Sequence, residues 1–487
     1  MPPAKERFLT MQQHFLAVDL GAESGRGVLA SWDGARLSLR ELRRFPTGQG
    51  EQDLGADGVR RWDFERLWRE IEQTLAQAQA EAPALCGVAV DSWGVDFGLL
   101  GPDGALLDAP VQYRDLAHAR AMQDVLARVP AEDIWAATGI QGMPFNTLYQ
   151  LQARQARDPG LLARAHRLLL IPDLLAHRLT GGASLAVETT NASTTQCLDT
   201  RTGQWNHALL SRIGLPSHFL GPLTHAGSSL GVTAGGVPVY AVGSHDTASA
   251  VAAVPAEAGS TWAFLSSGTW SLLGVETAKP RLDDDVRRLG LSNETGVGGT
   301  TRLLKNIMGL WLVQESRRAL GRDAGRDYTY PELAALAEAA PAGGPVVDAT
   351  DNRFLAPADM RAEIDAACRD TGQTPPPDAG ALIRCCLDSL AGAYKQGLGD
   401  LQRVLSVRFG ALHVVGGGSQ NRLLNQLTAD VCGLPVVAGP GEATALGNAL
   451  GQLVASGAVA DWAQARDVAR RSCETETFLP RGAGRGI

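Results

Sequence analysis

The chain has 487 residues, of which 45% are hydrophobic and 20% charged, and its formal net charge is -8. This composition is ordinary for a soluble globular protein, and the acidic balance argues against a nucleic-acid-binding surface, so we expect a small-molecule partner. The length exceeds that at which one hydrophobic core stops growing, which predicts two domains.

The segment before Phe15 is too polar for a signal peptide, and no later stretch approaches the roughly 20 apolar residues that cross a bilayer. We therefore expect a cytoplasmic protein without a membrane partner, either a monomer or a small homo-oligomer. The 7 cysteines contain no C-x-x-C pair, which indicates neither a disulfide framework nor a zinc site. Spacing alone does not decide whether Cys368 and Cys385 pair across two helices.

The first predicted element is a β-hairpin over residues 15–32, in which a glycine-rich turn separates two apolar runs. This turn can place backbone N–H groups, Ser24 and Arg26 around phosphate oxygens, with Asp19 able to orient magnesium or its waters. A hairpin whose glycines only satisfy turn geometry is an equally good interpretation. Glu23 complicates the phosphate hypothesis, because a carboxylate beside phosphates is repelled unless it points away.

Alternating helices and strands follow the hairpin, a pattern typical of an α/β fold. The predicted helices cover residues 64–80, 119–128, 146–155 and 172–178, and a strand covers 88–90.

The next candidate is Asp246, in Gly-Ser-His-Asp-Thr directly after an apolar run at residues 237–242. A carboxylate beyond the carboxyl end of a strand lies where open α/β sheets bind ligands, and it could act as a general base in phosphoryl transfer. A helix N-cap is the better interpretation when the segment is considered alone. A contiguous Ser-His-Asp triad is excluded, because neighbouring side chains on an extended segment point apart.

A second hairpin at residues 260–275 repeats the first, and the Thr269 turn could hold phosphates from the opposite side. Pro255 and Gly259 mark the expected domain joint. The glycines at 416–418 allow a close approach to a base or ribose. Helices are predicted at 306–320, 331–339, 379–401 and, as the final helix, 443–455, with a strand at 411–415, surface connections at 341–345 and 371–379, and a frayed end at 481–487.

Two common nucleotide signatures do not apply. No Gly-Lys-Ser/Thr occurs, which excludes a P-loop kinase. Residues 25–30 match a dinucleotide fingerprint only formally, because a strand and not a helix is predicted after them, so a dehydrogenase is not favoured.

Taken in order, the glycine hairpin, Gly-Ser-His-Asp-Thr, Ser-Ser-Gly-Thr-Trp-Ser and Gly-Gly-Gly-Ser-Gln-Asn resemble the FGGY carbohydrate kinases from residue 15 to about residue 455. The resemblance implies an α/β, two-domain actin-like ATPase (ribonuclease H-like) fold with the active site in the interdomain cleft. It also implies a sugar-binding, catalytic domain at 14–254, a nucleotide-binding domain at 260–456 and a C-terminal extension at 457–487.

The same resemblance implies ATP and Mg²⁺ as cofactors. Asp246 would be the proton acceptor and Asp19 would help to hold magnesium. Ala22 and Glu23 lack the hydroxyl groups expected from the family pattern, so their phosphate contacts would come from backbone N–H groups. The implied ATP contacts are Ala22, Glu23, Ser24, Gly25, Arg26, Thr269, Gln314 and Gly417, and the implied sugar contacts are Gly94, His245, Asp246, Thr247 and Asn306.

Residues 91–97, 113–115, 139–141, 144–150 and 304–311 are most similar to family members that phosphorylate L-rhamnulose to L-rhamnulose 1-phosphate in rhamnose catabolism. Trp93, Tyr113 and Phe145 are candidates for an apolar wall that distinguishes a methyl from a hydroxymethyl group. The alternatives are a kinase for L-fuculose, L-xylulose or L-ribulose, or a catalytically silent sugar-binding regulator. Retention of both Asp19 and Asp246 speaks against the regulator.

Overall fold

The computed structural model describes residues 12–48, 50–355 and 357–481. The segment before residue 12 and residues 482–487 of the predicted frayed end at 481–487 lie outside the described residues, whereas Arg481 is hydrogen-bonded to Asp430. In the described ranges, no helix is both long enough and apolar enough to cross a membrane.

The strands fall into two large sheets and several short pairs. They are β1 Gln13–Leu20, β2 Ser24–Trp32, β3 Leu37–Pro46, β4 Leu85–Ser92, β5 Phe97–Leu100, β6 Arg167–Leu170, β7 Val187–Glu188, β8 Leu198–Asp199, β9 Gln204–Trp205, β10 Leu223–Thr224, β11 Ser229–Val232, β12 Pro238–Tyr240, β13 Trp262–Ser267, β14 Ser271–Thr277, β15 Ser292–Thr295, β16 Thr301–Ile307, β17 Ala411–Val415, β18 Val436–Ala438 and β19 Glu476–Phe478.

The helices pack against the faces of these sheets. They are α1 Phe64–Glu81, α2 Ala117–Leu126, α3 Ala131–Thr138, α4 Thr147–Arg157, α5 Leu161–Arg164, α6 Ile171–Leu179, α7 Thr189–Ala192, α8 His207–Ile213, α9 Asp246–Ala252, α10 Asp284–Arg288, α11 Trp311–Ala324, α12 Tyr330–Ala339, α13 Met360–Asp370, α14 Ala379–Leu405, α15 Arg422–Cys432, α16 Ala443–Ala455 and α17 Trp462–Ser472.

The two large sheets are built alike, which confirms the predicted repeat. In the first, with strand order β11-β12-β4-β1-β2-β3, β1 pairs with β2 antiparallel and with β4 parallel. In the second, with order β15-β16-β14-β13-β17-β18-β19, β13 pairs with β14 antiparallel and with β17 parallel. Each half therefore opens with a hairpin whose turn lies at the carboxyl edge of the parallel strands, where ligands bind in open α/β sheets.

Helix α16, although it comes late in the chain, packs on the first sheet. Its Gln452 side chain donates a hydrogen bond of 2.9 Å to the Leu16 carbonyl, and Asn448 donates one of 2.6 Å to Asp91 Oδ2. Gly447 makes the close contact with α9 possible, because a Cβ at that position would lie 1.8 Å from the Ser249 carbonyl oxygen. The joint between the halves is thus a packed core.

Two elements differ from the sequence predictions. Residues 306–307 belong to strand β16 and not to the start of a helix, because they pair with Leu272 and Ser271 of β14. Gly309 sits against the Ser271 backbone, where a Cβ would lie 2.6 Å from the Ser271 nitrogen, and the helix begins only at Trp311. Helix α16 is not the last helix: α17 and the edge strand β19 follow it, and β19 pairs with β18.

Candidate active site

A cavity of about 1250 Å³ opens between the two halves, and most of the predicted site residues line it. Gly25 is the exception: it does not line the cavity, and the space beside its Cα is filled by Phe45 and Leu20. The predicted residues that line the cavity are Asp19, Ala22, Glu23, Ser24, Arg26, Trp93, Gly94, Tyr113, Phe145, His245, Asp246, Thr247, Thr269, Asn306, Gln314 and Gly417.

Arg26, expected beside phosphates, is engaged by two carboxylates. Its Nε and Nη2 donate to Asp19 Oδ2 at 2.9 and 2.6 Å, and its Nη1 pairs with Glu442 at the N-terminus of α16. Asp19 and Arg26 lie directly opposite each other on β1 and β2. Burial alone lowers the pKa of Arg26, but the charges of Asp19 and Glu442 outweigh it and raise that pKa. The arginine therefore fixes the orientation of Asp19 at the cavity wall.

The Glu23 side chain turns toward the second half of the molecule. Its Oε1 lies 2.8 Å from Arg318 Nη2 on α11, across the mouth of the cavity. Arg318 also lies over the Trp311 ring, 5.7 Å from its centroid, and Arg114 lies over the same ring at 4.3 Å. An ion pair and a cation–π contact thus join the two halves at this edge.

Asp246 is the first residue of α9 and not its N-cap. The cap position is His245, which makes no side-chain capping bond, whereas the Asp246 carboxylate accepts from the Thr247 N–H and, at 3.1 Å, from the Thr247 hydroxyl. Burial, with a further contribution from the nearby negative charge of Asp19, raises the pKa of Asp246. A carboxylate with a raised pKa in a cleft is well suited to accept a proton.

A third carboxylate, Asp91 at the end of β4, lies behind Asp19 and Asp246. It is 0% exposed, its Oδ2 accepts from Asn448, and its Oδ1 has no hydrogen-bond partner among the described residues. Burial raises the pKa of Asp91 well above its ordinary value, and the charges of Asp19 and Asp246 add to the effect. Repulsion among these carboxylates makes the site receptive to a cation.

Behind Asp246 lies a buried ionic cluster that sequence reasoning missed. Arg302 is 0% exposed and lies 3.0 Å from Glu294 Oε2, and both approach Nδ1 of His245. Glu294 and Arg302 occupy facing positions on β15 and β16. Burial raises the pKa of Glu294, but the charge of Arg302 and the contacts with His245 together outweigh it, and the net shift is downward. The available signal was a pair of opposite charges eight positions apart within two short strand segments.

The expected sugar side of the cavity lies in the first half. A Cβ at Gly94 would lie 2.9 Å from Thr194 Oγ1, so glycine allows the backbone here to lie directly against Thr194. Asn306 reaches across from β16, with its Nδ2 3.5 Å from Gln141 Oε1. Gln141 and Thr194 also line the cavity and were not predicted.

The predicted aromatic wall is assembled as a chain of ring contacts. Phe145 lies edge-on between Tyr113, at 6.0 Å, and Trp270 of the second half, at 5.5 Å. Trp93 is held separately, because its Nε1 donates to the buried Asp96 at 2.9 Å. Trp270 was not predicted as part of the wall.

The expected nucleotide side lies in the second half. Gln314 Nε2 lies 3.5 Å from Thr269 Oγ1, beside the second hairpin turn. The glycines at the end of β17 differ in the space beside them. A Cβ at Gly418 would collide with Ser267 Oγ at 1.9 Å, whereas a Cβ at Gly417 would have no atom within 4 Å. Gly418 thus permits the close turn, and Gly417 leaves its backbone open to the cavity.

Two duplicated halves with a ligand cleft between them are the architecture of the actin-like ATPases. Family models match both halves: the FGGY carbohydrate kinase N-terminal domain over residues 14–251 and the C-terminal domain over residues 263–456. The gluconate kinase of Lactobacillus acidophilus has the same fold, with a TM-score of 0.77 at 15% identity, covering 96% of this chain and 94% of that one.

Curated relatives match along nearly the whole chain. A rhamnulokinase of Bacteroides thetaiotaomicron is 40% identical over 480 residues, which cover 97% of this chain and 96% of the relative. A rhamnulokinase of Enterococcus faecalis is 41% identical over 476 residues, with 95% and 94% covered. The chain belongs to the FGGY family of carbohydrate kinases.

Proposed function

We propose that the chain transfers the γ-phosphate of ATP to L-rhamnulose and forms L-rhamnulose 1-phosphate. The observation that carries the proposal is the position of Asp246, which is partly buried at the start of α9 in the cavity that both hairpin turns and the aromatic wall share. The substrate is inferred from the rhamnulokinases that share about 40% of the sequence.

In this proposal Asp246 accepts the proton of the attacking sugar hydroxyl. Phosphoryl transfer requires chiefly positioning and charge stabilisation, so a single base within hydrogen-bond reach of the hydroxyl is sufficient on the acceptor side. We assign sugar contacts to Gly94, His245, Thr247 and Asn306. Enclosure between the halves keeps water from the γ-phosphate, which would otherwise be hydrolysed.

The phosphates are assigned to the two hairpin turns. We infer that the backbone N–H groups at residues 22–26 approach them from the first half and that Thr269, Gln314 and Gly417 contact ATP from the second. The open backbone at Gly417 supports this assignment. The ion pair to Arg318 supports a Glu23 side chain directed away from the phosphates, so that its backbone alone contributes. The domain limits at 254 and 260 and the cytoplasmic location stay predictions.

We further propose that Mg²⁺ acts with ATP and that Asp19 helps to hold it. The carboxylates of Asp19 and Asp91 fit a cation, and Asp91 Oδ1 has no hydrogen-bond partner among the described residues. Among the described residues, no three His, Cys, Asp or Glu side chains are grouped as a complete metal cage. Magnesium keeps several waters and takes phosphate oxygens as ligands, so one or two carboxylates are enough to hold it. When bound, Mg²⁺ would neutralise charge on the transferred phosphoryl group.

The test is a coupled ADP-release assay with Mg-ATP and a panel of L-rhamnulose, L-fuculose, L-xylulose, L-ribulose, D-xylulose and glycerol. We expect the highest kcat/KM with L-rhamnulose, with side activity on related ketoses, because an apolar wall distinguishes one methylene-sized change by only about 1–3 kcal/mol. A preference for another ketose would overturn the substrate. An absence of turnover on the whole panel would favour the sugar-binding regulator.

A further inference from the structure

Arg302 and Glu294 form a buried ionic cluster behind His245, and neither has a role in the proposed reaction as described above. Arg302 Nη2 lies 3.1 Å from His245 Nδ1 with hydrogen-bond geometry. Glu294 Oε2 lies 3.2 Å from the same Nδ1 and 3.0 Å from Arg302 Nη2. On its other side, His245 Nε2 lies 3.5 Å from Asp246 Oδ1.

The His245 imidazole therefore has the Arg302 guanidinium on its Nδ1 side and the Asp246 carboxylate on its Nε2 side. A guanidinium has only donors and stays charged, whereas a neutral imidazole has one N–H and one lone pair. A lone pair on Nδ1 accepts from Arg302, which leaves the proton on Nε2. A proton on Nδ1 would instead point at the Arg302 N–H group.

Glu294 is the competing partner for Nδ1. Its Oε2 has no partner with hydrogen-bond geometry among the described residues, although it lies at ion-pair distance from Arg302 and His245. Its charge is balanced by the fully buried Arg302. The Glu294 carboxylate therefore balances the charge of the Arg302 guanidinium. The guanidinium, and not the carboxylate, makes the directional hydrogen bond with the His245 ring.

The other charged groups around His245 do not alter this choice. Asp246 faces Nε2, where a carboxylate favours an N–H. Glu188 faces the backbone side: its Oε2 accepts from Ser244 N–H at 3.1 Å and from the Ser244 hydroxyl at 2.9 Å. The His245 N–H donates to Thr190 Oγ1 at 3.2 Å, which fixes the backbone of the ring-bearing residue.

We infer that Arg302, with Glu294 as its counter-ion, is a positioning residue that holds His245 in the Nε2–H tautomer. His245 then presents a donor to Asp246 and to the sugar, and it has no lone pair there with which to compete for the proton. The opposite tautomer would aim a lone pair at the Asp246 carboxylate. This inference rests on the proposed role of Asp246 as the base.

The direct test is ¹⁵N NMR of the full chain labelled at its histidines, with a His245→Asn variant to assign the ring signals. At pH 7–8 we expect His245 to show a protonated Nε2 and an unprotonated Nδ1. A protonated Nδ1, in the neutral ring or in an imidazolium, would overturn the inference. The measurement needs no turnover, so its failure is distinguishable from failure of the proposed kinase reaction.

Substitutions then test the role of the arginine. In Arg302→Leu we expect Nδ1 to take the proton and face Glu294, and kcat with the preferred ketose to fall at least tenfold with KM for ATP unchanged. Arg302→Lys keeps a charged donor and should restore the Nε2–H signal. An Arg302→Leu protein that keeps the Nε2–H tautomer would refute the assignment.

Removal of one partner of a buried ion pair can prevent folding, so a double variant is needed. Glu294→Leu/Arg302→Leu removes both charges, an exchange that cores often tolerate. We expect the Nε2–H form to become less populated than in the unaltered protein, because only Asp246 then favours a proton on Nε2; an unchanged population would count against Arg302. The control is Asp108→Leu/Arg154→Leu, a pair 2.9 Å apart with Arg154 buried outside the cavity, which should leave the His245 signals unchanged.

Discussion

Asp246 occupies a position where burial and a neighbouring carboxylate oppose its negative charge, while Thr247 and the facing His245 stabilise it. This balance is what a proton acceptor requires, because a weakly basic carboxylate would be a poor base and a protonated one would be inactive. Two predictions at the scale of the single residue follow from it.

Replacement of Asp246 by Asn removes the base but nearly keeps the shape of the side chain. We expect kcat to fall by about 10²–10⁴-fold, the usual contribution of a general base, with binding of ATP and ketose near normal in calorimetric titrations. Asp103→Asn, in an exposed turn outside the main cavity, is the control for a lost carboxylate. An Asp246→Asn enzyme with full activity would remove this residue from the mechanism.

The raised pKa of Asp246 sets the acid limit of activity. The base works only when ionised, so kcat/KM should decline as the pH falls through the raised pKa, above the ordinary value of 3.8. The pH profile of kcat/KM for the ketose, at saturating Mg-ATP, measures this limit. A midpoint at or below 3.8 would contradict the effect of burial on this carboxylate.

Much of this residue-scale detail was not readable from the sequence. Asp246 could be proposed as the base because the apolar run before it and the helix after it are recognisable from the neighbouring sequence. The direction of the Glu23 side chain could not be predicted, because its partner Arg318 lies 295 positions away in the sequence. Glu294 and Arg302 were missed because isolated charges in short strands look like surface residues until the pairing of β15 with β16 is known.

Among the helices and strands, those specified by the local sequence pattern were predicted best. Helices α1, α12 and α14 were predicted near their observed bounds because their apolar periodicity is continuous. The start of α11 was misplaced because residues 306–307 pair with β14, whose partner residues lie more than 30 positions earlier in the chain. Tertiary pairing overrode the local helix preference there.

Because α9 and α16 pack closely at Gly447, we expect one added methyl group at this position to lower the stability of the fold. In Gly447→Ala the new Cβ would lie 1.8 Å from the Ser249 carbonyl oxygen, which cannot move without displacing α9. We expect the free energy of unfolding to fall by about 1–3 kcal/mol, as in overpacked cores, measured by urea denaturation.

Gly392→Ala is the matched control. Gly392 is an exposed glycine inside α14, and a Cβ there would meet nothing within 4 Å. Alanine should raise the stability by about 0.5–1 kcal/mol because it lowers the entropy of the unfolded chain. Equal effects of the two substitutions would show that helix propensity, and not the contact with α9, decides the result.

At the scale of the whole molecule, the two halves meet at the mouth of the cavity through Glu23 and Arg318. The pair is partly exposed, so its contribution should be modest, about 0–1 kcal/mol. A contribution of that size shifts an equilibrium between open and closed cleft by a few-fold at most, and salt should weaken it.

We expect Glu23→Gln to favour an open cleft, which small-angle scattering would detect as a larger radius of gyration without ligand. The exchange Glu23→Arg/Arg318→Glu should restore the compact form, because it keeps the pair and reverses its direction. Arg322→Gln, on the same helix but paired with Asp359 within the second half, serves as the control. An unchanged radius in Glu23→Gln would show that other contacts hold the halves together.

The packing of α16 also bears on how the chain is made. The Leu16 carbonyl in β1 is bonded by Gln452, which the ribosome adds 436 residues later, and buried Asp91 is bonded by Asn448. A nascent first half therefore lacks part of its own core until residue 452 has left the exit tunnel. Until then the part of the first sheet that α16 covers stays exposed, and exposed apolar surface of this kind favours aggregation during synthesis.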